Sequence, residues 1–316
     1  MSPPPTSAPR AALAALLCAV LALGAVGCSD RADNEVLRIF ATTGYLADAA
    51  QNIAPEAEVI TMVGPGGDPH TYQPSTRDIQ RIQDADVVLW NGFRLEAHLV
   101  DQLRSLGRKQ LAAAEQLPDD VLLSLPETDE QGEPLRDPHV WNNPHAWVLV
   151  IDYIADKLAE IDPDRAEQYR ANAAEYRTEI EATAEEVDRL LAGLPEPRML
   201  VTGHDAFNYL GDTYHLTVHA TDFISSDAVL SPEELSRLAD LIADHEVPMI
   251  FQDNQANPQA IKSLREAVRA RGWEVRISDQ ELYADSLGAE PGVDTYSGVL
   301  LHNATAIADA LGTEKS

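Results

Sequence analysis

The stretch "DPDRAEQYRANAAEYRTEIEATAEEVDRLLAGL", residues 162–194, decides the fold expected of this chain. Apolar residues recur at every third or fourth position from Ala166 to Leu190 with no glycine or proline between them, which predicts one long helix. Asp162 and Pro163 provide an N-cap and a favourable first-turn proline at its start. Such a helix is about 45 Å long at about 1.5 Å per residue, so it can connect two lobes as a stiff spine.

A coiled-coil dimerisation helix is the alternative interpretation of the same stretch. A two-stranded coiled coil favours leucine and isoleucine at its core positions, whereas the spaced positions here are mostly alanine and tyrosine. The composition therefore favours a helix packed inside one chain, and we expect a monomer.

Strand-like and helix-like segments alternate on both sides of this helix. On the N-terminal side the predicted strands are 36–42, 58–63, 86–92 and 109–114, and the predicted helices are 44–53, 76–84, 95–106 and 144–160, with a polar loop at 125–139. On the C-terminal side a first strand begins at Arg198; further strands are predicted at 217–223, 247–253 and 273–278, and helices at 231–245, 257–272 and 295–311, the first with a Ser231/Glu234 capping box.

This alternation predicts an α/β fold of two lobes, each with a mostly parallel sheet flanked by helices, joined by one long rigid backbone helix. The predicted boundaries are 36–161 for the N-terminal lobe, 162–194 for the linking helix and 195–316 for the C-terminal lobe.

The first 35 residues predict export and anchoring. Residues 1–27 contain an apolar run that is too short for a stable membrane span and is typical of a signal peptide. The run ends in "AVGC", as in a bacterial lipoprotein signal, so Cys28 is the predicted lipidation site, followed by a polar tether at 28–35. A plain secretory signal with an incidental Cys28 is the alternative. We expect an extracytoplasmic protein held at the membrane by a lipid alone.

The composition narrows the possible partners. The chain has 23 Lys and Arg against 52 Asp and Glu, a formal charge of −29, which argues against nucleic acid because phosphate binding requires a basic surface. With 45% hydrophobic residues it can nevertheless bury large cores. A strongly acidic surface attracts cations.

Three histidines and one aspartate occupy equivalent loops. The tripeptide Asp-Pro-His ends at His70 and again at His139, His204 directly follows the strand "RMLVT", and Asp285 follows the strand "WEVRIS". Ligands of open α/β units bind beyond the carboxyl ends of the strands, where these loops lie. Three imidazoles and a carboxylate form a four-coordinate set that zinc favours. The neighbouring carboxylates orient the imidazoles or cap the loop turns: Asp68, Asp137 and Asp205.

Four motifs in fixed order carry a family resemblance. "GGDPHTYQPS" (66–75), "DPHVWNNP" (137–144), "VTGHDAFNYL" (201–210) and "YADSLG" (283–288) with "TYSGVLLHN" (295–303) resemble the solute-binding proteins of zinc and manganese ABC transporters, the ZnuA/TroA-type family. The resemblance covers essentially the whole mature chain. It implies one metal ion in the cleft between the lobes, a membrane permease as partner, and four ligands: His70, His139, His204 and Asp285.

Departures from the family pattern bear on the cargo and its source. Asn143 and Arg94 replace an aspartate and a small residue, and neither is an expected ligand. The loop before His139 has no histidine, although its Glu127, Asp129, Glu130 and Glu133 can collect cations weakly. With the stretch "FQDNQANPQ", this loop resembles the AztC-like subtype, which receives zinc from a periplasmic metallochaperone. Manganese-selective relatives typically carry glutamate where this chain has His204, so zinc is the predicted cargo and manganese the alternative.

Two other functions are weighed against metal transport. A metallohydrolase needs an open coordination position and usually a motif such as H-E-x-x-H, which this sequence lacks, so we expect no enzyme. A surface adhesin remains open, and binding to host-matrix proteins would test it. We expect Trp141 to shield the cleft. Metal affinity should decrease as the pH drops below about 6.5, because protonated imidazoles do not bind metal. Six further histidines are not expected to be ligands: His98, His145, His215, His219, His245 and His302.

Overall fold

The computed structural model describes residues 36–128, 132, 134–222 and 230–312. The predicted signal peptide, Cys28, the tether and part of the acidic loop (Asp129, Glu130 and Glu133) lie outside the described residues. No helix within the described ranges is both long enough and apolar enough to cross a membrane.

A four-stranded parallel sheet forms the N-terminal half. Its strands pair in the order β2-β1-β3-β4, and all four residues of the central strand β3 are buried. Burial on both faces explains why this strand is a continuous apolar run rather than an alternating one. The elements are β1 (Arg38–Ala41), α1 (Gly44–Ile53), β2 (Glu58–Thr61), α2 (Thr76–Asp84), β3 (Val87–Trp90), α3 (Val100–Ser105) and β4 (Gln110–Ala112).

The predicted polar loop at 125–139 is wrong in part, because it contains a hairpin. Two short antiparallel strands, β5 (Ser124–Thr128) and β6 (Pro134–Arg136), pair across it. Most of their side chains are exposed or half-buried. Backbone pairing and a hydrogen bond from the Arg136 guanidinium group to Ser124 Oγ at 2.9 Å hold this hairpin, so it lacks the alternation of apolar and polar residues from which a strand is predicted. The predicted helix at 95–106 is likewise shorter and begins at Val100.

The long helix is confirmed, with a different start. A 3-10 turn, Pro163–Arg165, leads into α5 (Ala166–Ala192). Asp162 makes no capping hydrogen bond; its carboxylate accepts one from the Tyr169 hydroxyl group at 2.8 Å instead. α5 packs against both the preceding helix α4 (Pro144–Ile161) and the C-terminal helix α9 (Tyr296–Leu311). Its buried face supplies Tyr169, Ala173, Tyr176, Ile180, Ala184, Val187 and Leu191.

The C-terminal half is also parallel α/β, but its strands are shorter than predicted. The pairs β7–β8 and β9–β10 are joined where the Phe251 N–H donates to the Val201 carbonyl group at 2.8 Å. The elements are β7 (Met199–Thr202), α6 (Asn208–Tyr214), β8 (Thr217–Ala220), α7 (Pro232–Asp244), β9 (Met249–Ile250), α8 (Pro258–Arg269), β10 (Arg276–Ile277) and α9.

Local signals at the helix starts are largely confirmed. The Ser231/Glu234 capping box begins α7, and Asn257 caps α8 with Pro258 at its first position. The fold class is therefore the predicted one, an α/β scaffold of parallel sheets flanked by helices and joined by a long helix. The described residues from Leu37 onward belong to one compact unit.

Candidate metal centre

The four singled-out side chains converge on one point. His70, His139, His204 and Asp285 are all buried, and their possible ligand atoms lie within 4.8 Å of one another. The His70 and His139 Nε2 atoms are 3.2 Å apart. Asp285 Oδ2 lies 3.3 Å from His70 Nε2 and 3.0 Å from His204 Nε2, while Oδ1 lies 3.4 Å from His139 Nε2.

These separations match the edges of a small coordination tetrahedron. An ion held at about 2.0–2.1 Å by four donors places neighbouring donors about 3.3–3.4 Å apart. Both Asp285 oxygens and both ring nitrogens of His204 are buried without a hydrogen-bond partner in the described part of the chain. Buried polar atoms without partners are unfavourable, and a cation at the common centre would satisfy Asp285 and the His204 Nε2 atom.

Each N-terminal histidine is held by the aspartate of its own Asp-Pro-His. The His70 N–H donates to Asp68 Oδ1 at 2.8 Å, and the His139 N–H donates to Asp137 Oδ1 at 2.9 Å. Asp137 Oδ1 also lies 2.8 Å from the ring atom Nδ1 of His139. When the proton is on Nδ1, this contact is a hydrogen bond, and the unprotonated Nε2 that faces the centre can donate its electron pair to a metal ion. Asp137 therefore orients an imidazole, and Asp68 caps a turn.

The His204 loop is held from a distant segment. The N–H groups of Gly203 and His204 donate to Asp253 Oδ2 at 3.0 and 2.9 Å. A Cβ atom on Gly203 would lie 2.2 Å from the Ala256 Cβ atom and 2.9 Å from this carboxylate, so the close approach requires glycine. Asp205 accepts from the Asn208 side chain at 2.9 Å, which is a local turn contact.

The Asp285 loop is held by Asn254, the neighbour of Asp253. Asn254 accepts a hydrogen bond from the Ala284 N–H at 2.8 Å and donates to Ser286 Oγ at 2.8 Å. The same hydroxyl group accepts from the Gly66 N–H at 3.0 Å, four residues before His70. Sequence reasoning missed these two holding residues, although their position at the end of the predicted strand 247–253, in "FQDN", was a signal of a ligand-side loop.

Aromatic rings form an apolar floor beneath the centre. Trp141 stacks on Tyr45 with ring centroids 5.0 Å apart, and its ring lies edge-on to that of His139 at 5.3 Å. Trp141 Nε1 and the Tyr45 hydroxyl group both donate to the Ala284 carbonyl oxygen, at 2.9 and 3.1 Å. Trp141 thus lies against His139 and ties the His139 segment to the Asp285 loop, and its shielding of the centre stays a prediction.

The pKa values of His70 and His204 are shifted in opposite directions. Burial lowers the pKa of His70 despite its contact with Asp285. Burial also opposes the charge on His204, but the carboxylates of Asp285, Asp253 and Asp205 outweigh it and raise its pKa to about 9. For Asp285, burial raises the pKa, yet the charges of His204 and His139 hold it well below its usual range. In the metal-free protein a proton on His204 therefore neutralises Asp285 near pH 7.

The other residues weighed from the sequence lie outside this group. Within the described ranges no second cluster of His, Cys, Asp and Glu is spaced to hold a metal ion, so the six remaining histidines belong to none. Asn143 is the N-cap of α4, where its side chain accepts from the His145 and Ala146 N–H groups. Arg94 is exposed and lines a neighbouring cavity.

Known proteins resemble this chain over most of its length. The manganese-binding lipoprotein MntA of Bacillus subtilis is 33% identical over 306 residues, which are 95% of this chain and 98% of the relative. The iron-binding protein YfeA of Yersinia pestis is 30% identical over 87% of this chain and 86% of the relative. The solved structure of the periplasmic zinc binding protein TroA from Treponema pallidum superposes with a TM-score of 0.82 at 32% identity, covering 88% of this chain and 99% of that one.

The fold, the buried centre and these relatives define a class: a metal-binding receptor, the substrate-binding component of an ABC metal importer, and not an enzyme. The family described as zinc-uptake complex component A, periplasmic, matches residues 39–310. The chain belongs to this family.

Proposed function

We propose that this protein is an extracytoplasmic zinc receptor that captures Zn²⁺ with high affinity at His70, His139, His204 and Asp285 and delivers it to a membrane permease. The observation that carries the proposal is the spacing of the ligand atoms, 3.0–3.4 Å between nearest donors, among buried atoms for which the described residues offer no hydrogen-bond partner. Four protein ligands close the coordination sphere, which suits capture and transfer rather than catalysis.

The choice of zinc rests on the donor set. Three imidazoles and one carboxylate suit tetrahedral zinc, whereas manganese prefers more oxygen donors and a higher coordination number. Zinc also lies above manganese in the general order of affinities for nitrogen and oxygen sites. Both Asp285 oxygens face imidazole nitrogens, so a bidentate carboxylate gives the manganese alternative a fifth donor. The relatives' names do not decide, because they include manganese, iron and zinc.

A competition titration tests the cargo. Metal-free protein at neutral pH, titrated with Zn²⁺ against Mn²⁺, should prefer zinc by orders of magnitude. Co²⁺ should give the intense visible absorption of a tetrahedral complex, and His204→Glu should shift the preference toward manganese by adding an oxygen donor. Equal or tighter binding of Mn²⁺ by the unaltered protein would overturn the zinc assignment.

The proposal includes a lipid anchor at Cys28 and a monomeric receptor. Intact mature protein should carry a diacylglyceryl mass increment and partition into membranes, while Cys28→Ala should stay unprocessed or be shed. A mature N-terminus elsewhere, without lipid, would remove the anchor from the proposal and leave the metal centre untouched.

The most specific part of the proposal is that a periplasmic metallochaperone supplies the zinc. It is supported by the loop before His139, which has no histidine to collect zinc, and by the "FQDNQANPQ" stretch. Zinc transfer from a loaded chaperone should then be faster than release into solution followed by recapture. Equal rates for the two routes would argue against it.

A further inference from the structure

A cavity of about 770 Å³ adjoins the metal centre. Its inner wall includes His70, Asp137 and Asp205, and its outer wall includes Phe93, Arg94 and side chains of the hairpin β5–β6. The metal centre therefore borders this space through one of its four predicted ligands, and the sequence assigns the space no role.

The four predicted ligands differ in how far their side chains are exposed to solvent, which indicates the side from which an ion approaches the centre. The His70 side chain is 6% exposed, whereas those of His139, His204 and Asp285 are 0% exposed. On another side the stacked rings of Tyr45 and Trp141 are buried against His139. Within the described residues, an ion thus meets His70 first when it comes from solvent.

Two carboxylates extend the cavity wall beyond His70. Asp137 and Asp205 line it and share the side-chain amide of Asn208, at 3.1 and 2.9 Å. Oxygen donors of this kind attract a partly hydrated divalent cation. The remaining wall is mixed: Leu123, Leu125 and other apolar side chains cover much of it, while Glu127 adds a third carboxylate and Arg94 and Arg136 add two cations.

The outer rim is built from a constrained loop. Phe93 and Arg94 have φ angles of 49° and 64°, a left-handed conformation that is unfavourable for a bulky side chain. The loop is held by two carboxylates: buried Glu96 accepts from the Asn91 N–H at 2.8 Å, and Glu115 accepts from the Phe93 N–H at 3.2 Å. A rim fixed by such contacts keeps the opening in place.

We propose that this cavity is the passage through which the hydrated divalent cation reaches and leaves the metal centre, with His70 as the first ligand on the way in. The inference rests on the proposed function of the centre. An obstruction in a passage slows movement in both directions equally, because it leaves the bound and free states unchanged, whereas a damaged site raises the dissociation constant.

Ala97→Trp provides the obstruction. Ala97 is exposed and lines the cavity, so a bulky ring there narrows the opening without touching a predicted ligand. His98→Trp is the matched control, because His98 is the next residue in the same turn, is also exposed, and is not among the lining residues. Ala97→Val is a smaller obstruction that keeps the test informative if the tryptophan variant fails to fold.

The measurement uses Co²⁺ as the probe. Stopped-flow mixing of the metal-free full chain with Co²⁺ follows association by visible absorption, and excess chelator added to the loaded protein follows dissociation. In Ala97→Trp both rates should fall about tenfold while their ratio stays within about twofold, with a smaller fall in Ala97→Val and none in His98→Trp.

Unchanged rates in both Ala97 variants would overturn the passage, as would a rise in the dissociation constant with an unchanged association rate. Failure of the proposed function is distinguishable, because it shows in the unaltered protein, either as equal or tighter binding of Mn²⁺ than of Zn²⁺ or as no metal binding at all, and not in the rates of the Ala97 variants.

Discussion

The two halves of the metal centre are held in different ways. On the N-terminal side, Asp68 and Asp137 accept from the backbone N–H of the histidine two residues later, so each histidine is held by its own Asp-Pro-His, although the Asn208 amide also contacts Asp137. On the C-terminal side, the loops of His204 and Asp285 are held by Asp253 and Asn254, residues from a third segment. One half of the centre is thus preorganised largely by local contacts, whereas the other depends on how distant loops pack.

The largest effect on Zn²⁺ affinity is expected from removing one of the four predicted ligands. His204→Ala removes one of four donors and leaves a position for water, so Zn²⁺ affinity should fall about a thousandfold or more. The metal-free protein should stay folded, but below about pH 9 it should unfold at a lower temperature, because the variant lacks the protonated His204 that neutralises buried Asp285. Competition with a chelating dye measures the affinity, and His98→Ala is the control. Unaltered affinity in His204→Ala would remove this residue from the centre.

The second-largest expected effect distinguishes the local support of His139 by Asp137 from the distant support of the His204 loop by Asp253. Asp137→Asn removes the carboxylate that holds His139 Nδ1, and loss of such a contact typically weakens metal binding by about 10–100-fold. Asp253→Asn should weaken binding to a similar degree and should also destabilise the metal-free protein, by about 1–3 kcal/mol, because the buried Gly203 and His204 N–H groups lose a charged acceptor.

Urea unfolding of metal-free Asp137→Asn and Asp253→Asn measures how much each carboxylate contributes to the stability of the fold, apart from its effect on metal binding. Asp68→Asn is the matched control on the N-terminal side, since Asp68 serves a half-buried turn where water can replace lost contacts. Equal loss of stability in Asp253→Asn and Asp68→Asn would contradict the distinction between distant and local support.

The pH dependence sharpens the contrast between His70 and His204. The pKa of His204 is raised to about 9, so metal must displace its proton at lower pH. Apparent Zn²⁺ affinity should therefore rise about tenfold per pH unit from about pH 7 to about 9, not level off near 6.5 as an unperturbed histidine predicts. His70 does not add to this slope, because burial lowers its pKa.

The same shift has a linked effect on the metal-free protein. A raised pKa means that the folded state binds this proton more tightly than the unfolded chain, so its stabilisation is fully present below about pH 6.5 and is lost as pH rises through about 9. Isothermal titration of Zn²⁺ at pH 7.5 in buffers of different ionisation enthalpy should detect the release of about one proton. No proton release would contradict the assigned state of His204.

The smallest effect concerns the contact between the two halves. Ser286→Ala removes the hydroxyl group that accepts from the Gly66 N–H and from Asn254. No ligand is lost and Asn254 keeps its hydrogen bond from the Ala284 N–H, so Zn²⁺ affinity should fall only about two- to tenfold, a loss of about 0.5–1.5 kcal/mol. Ser297→Ala, away from these loops, is the control, and a difference below twofold would show that this contact does not support the centre.

Features that repeat along the chain were predictable from the sequence. The long helix follows from apolar residues at every third or fourth position, because such a helix buries one face against α4 and α9. His70 and His139 were recognisable because their supporting aspartates lie two residues away. His204 and Asp285 were singled out by their positions after strands and by the family resemblance.

Only the tertiary structure revealed the contacts between distant segments. The hairpin β5–β6 is held mainly by backbone hydrogen bonds, and Asp253 and Asn254 act on residues about thirty to fifty positions away, so neither leaves a periodic pattern in the sequence. The raised pKa of His204 likewise depends on carboxylates from three separate loop positions meeting in space. The sequence determined which side chains are available to bind a metal. Only the packing of loops from different sheets decided how far apart these side chains lie. Their contacts and pKa shifts could not be predicted, because electrostatic and hydrogen-bond energies depend on distance in space rather than along the chain.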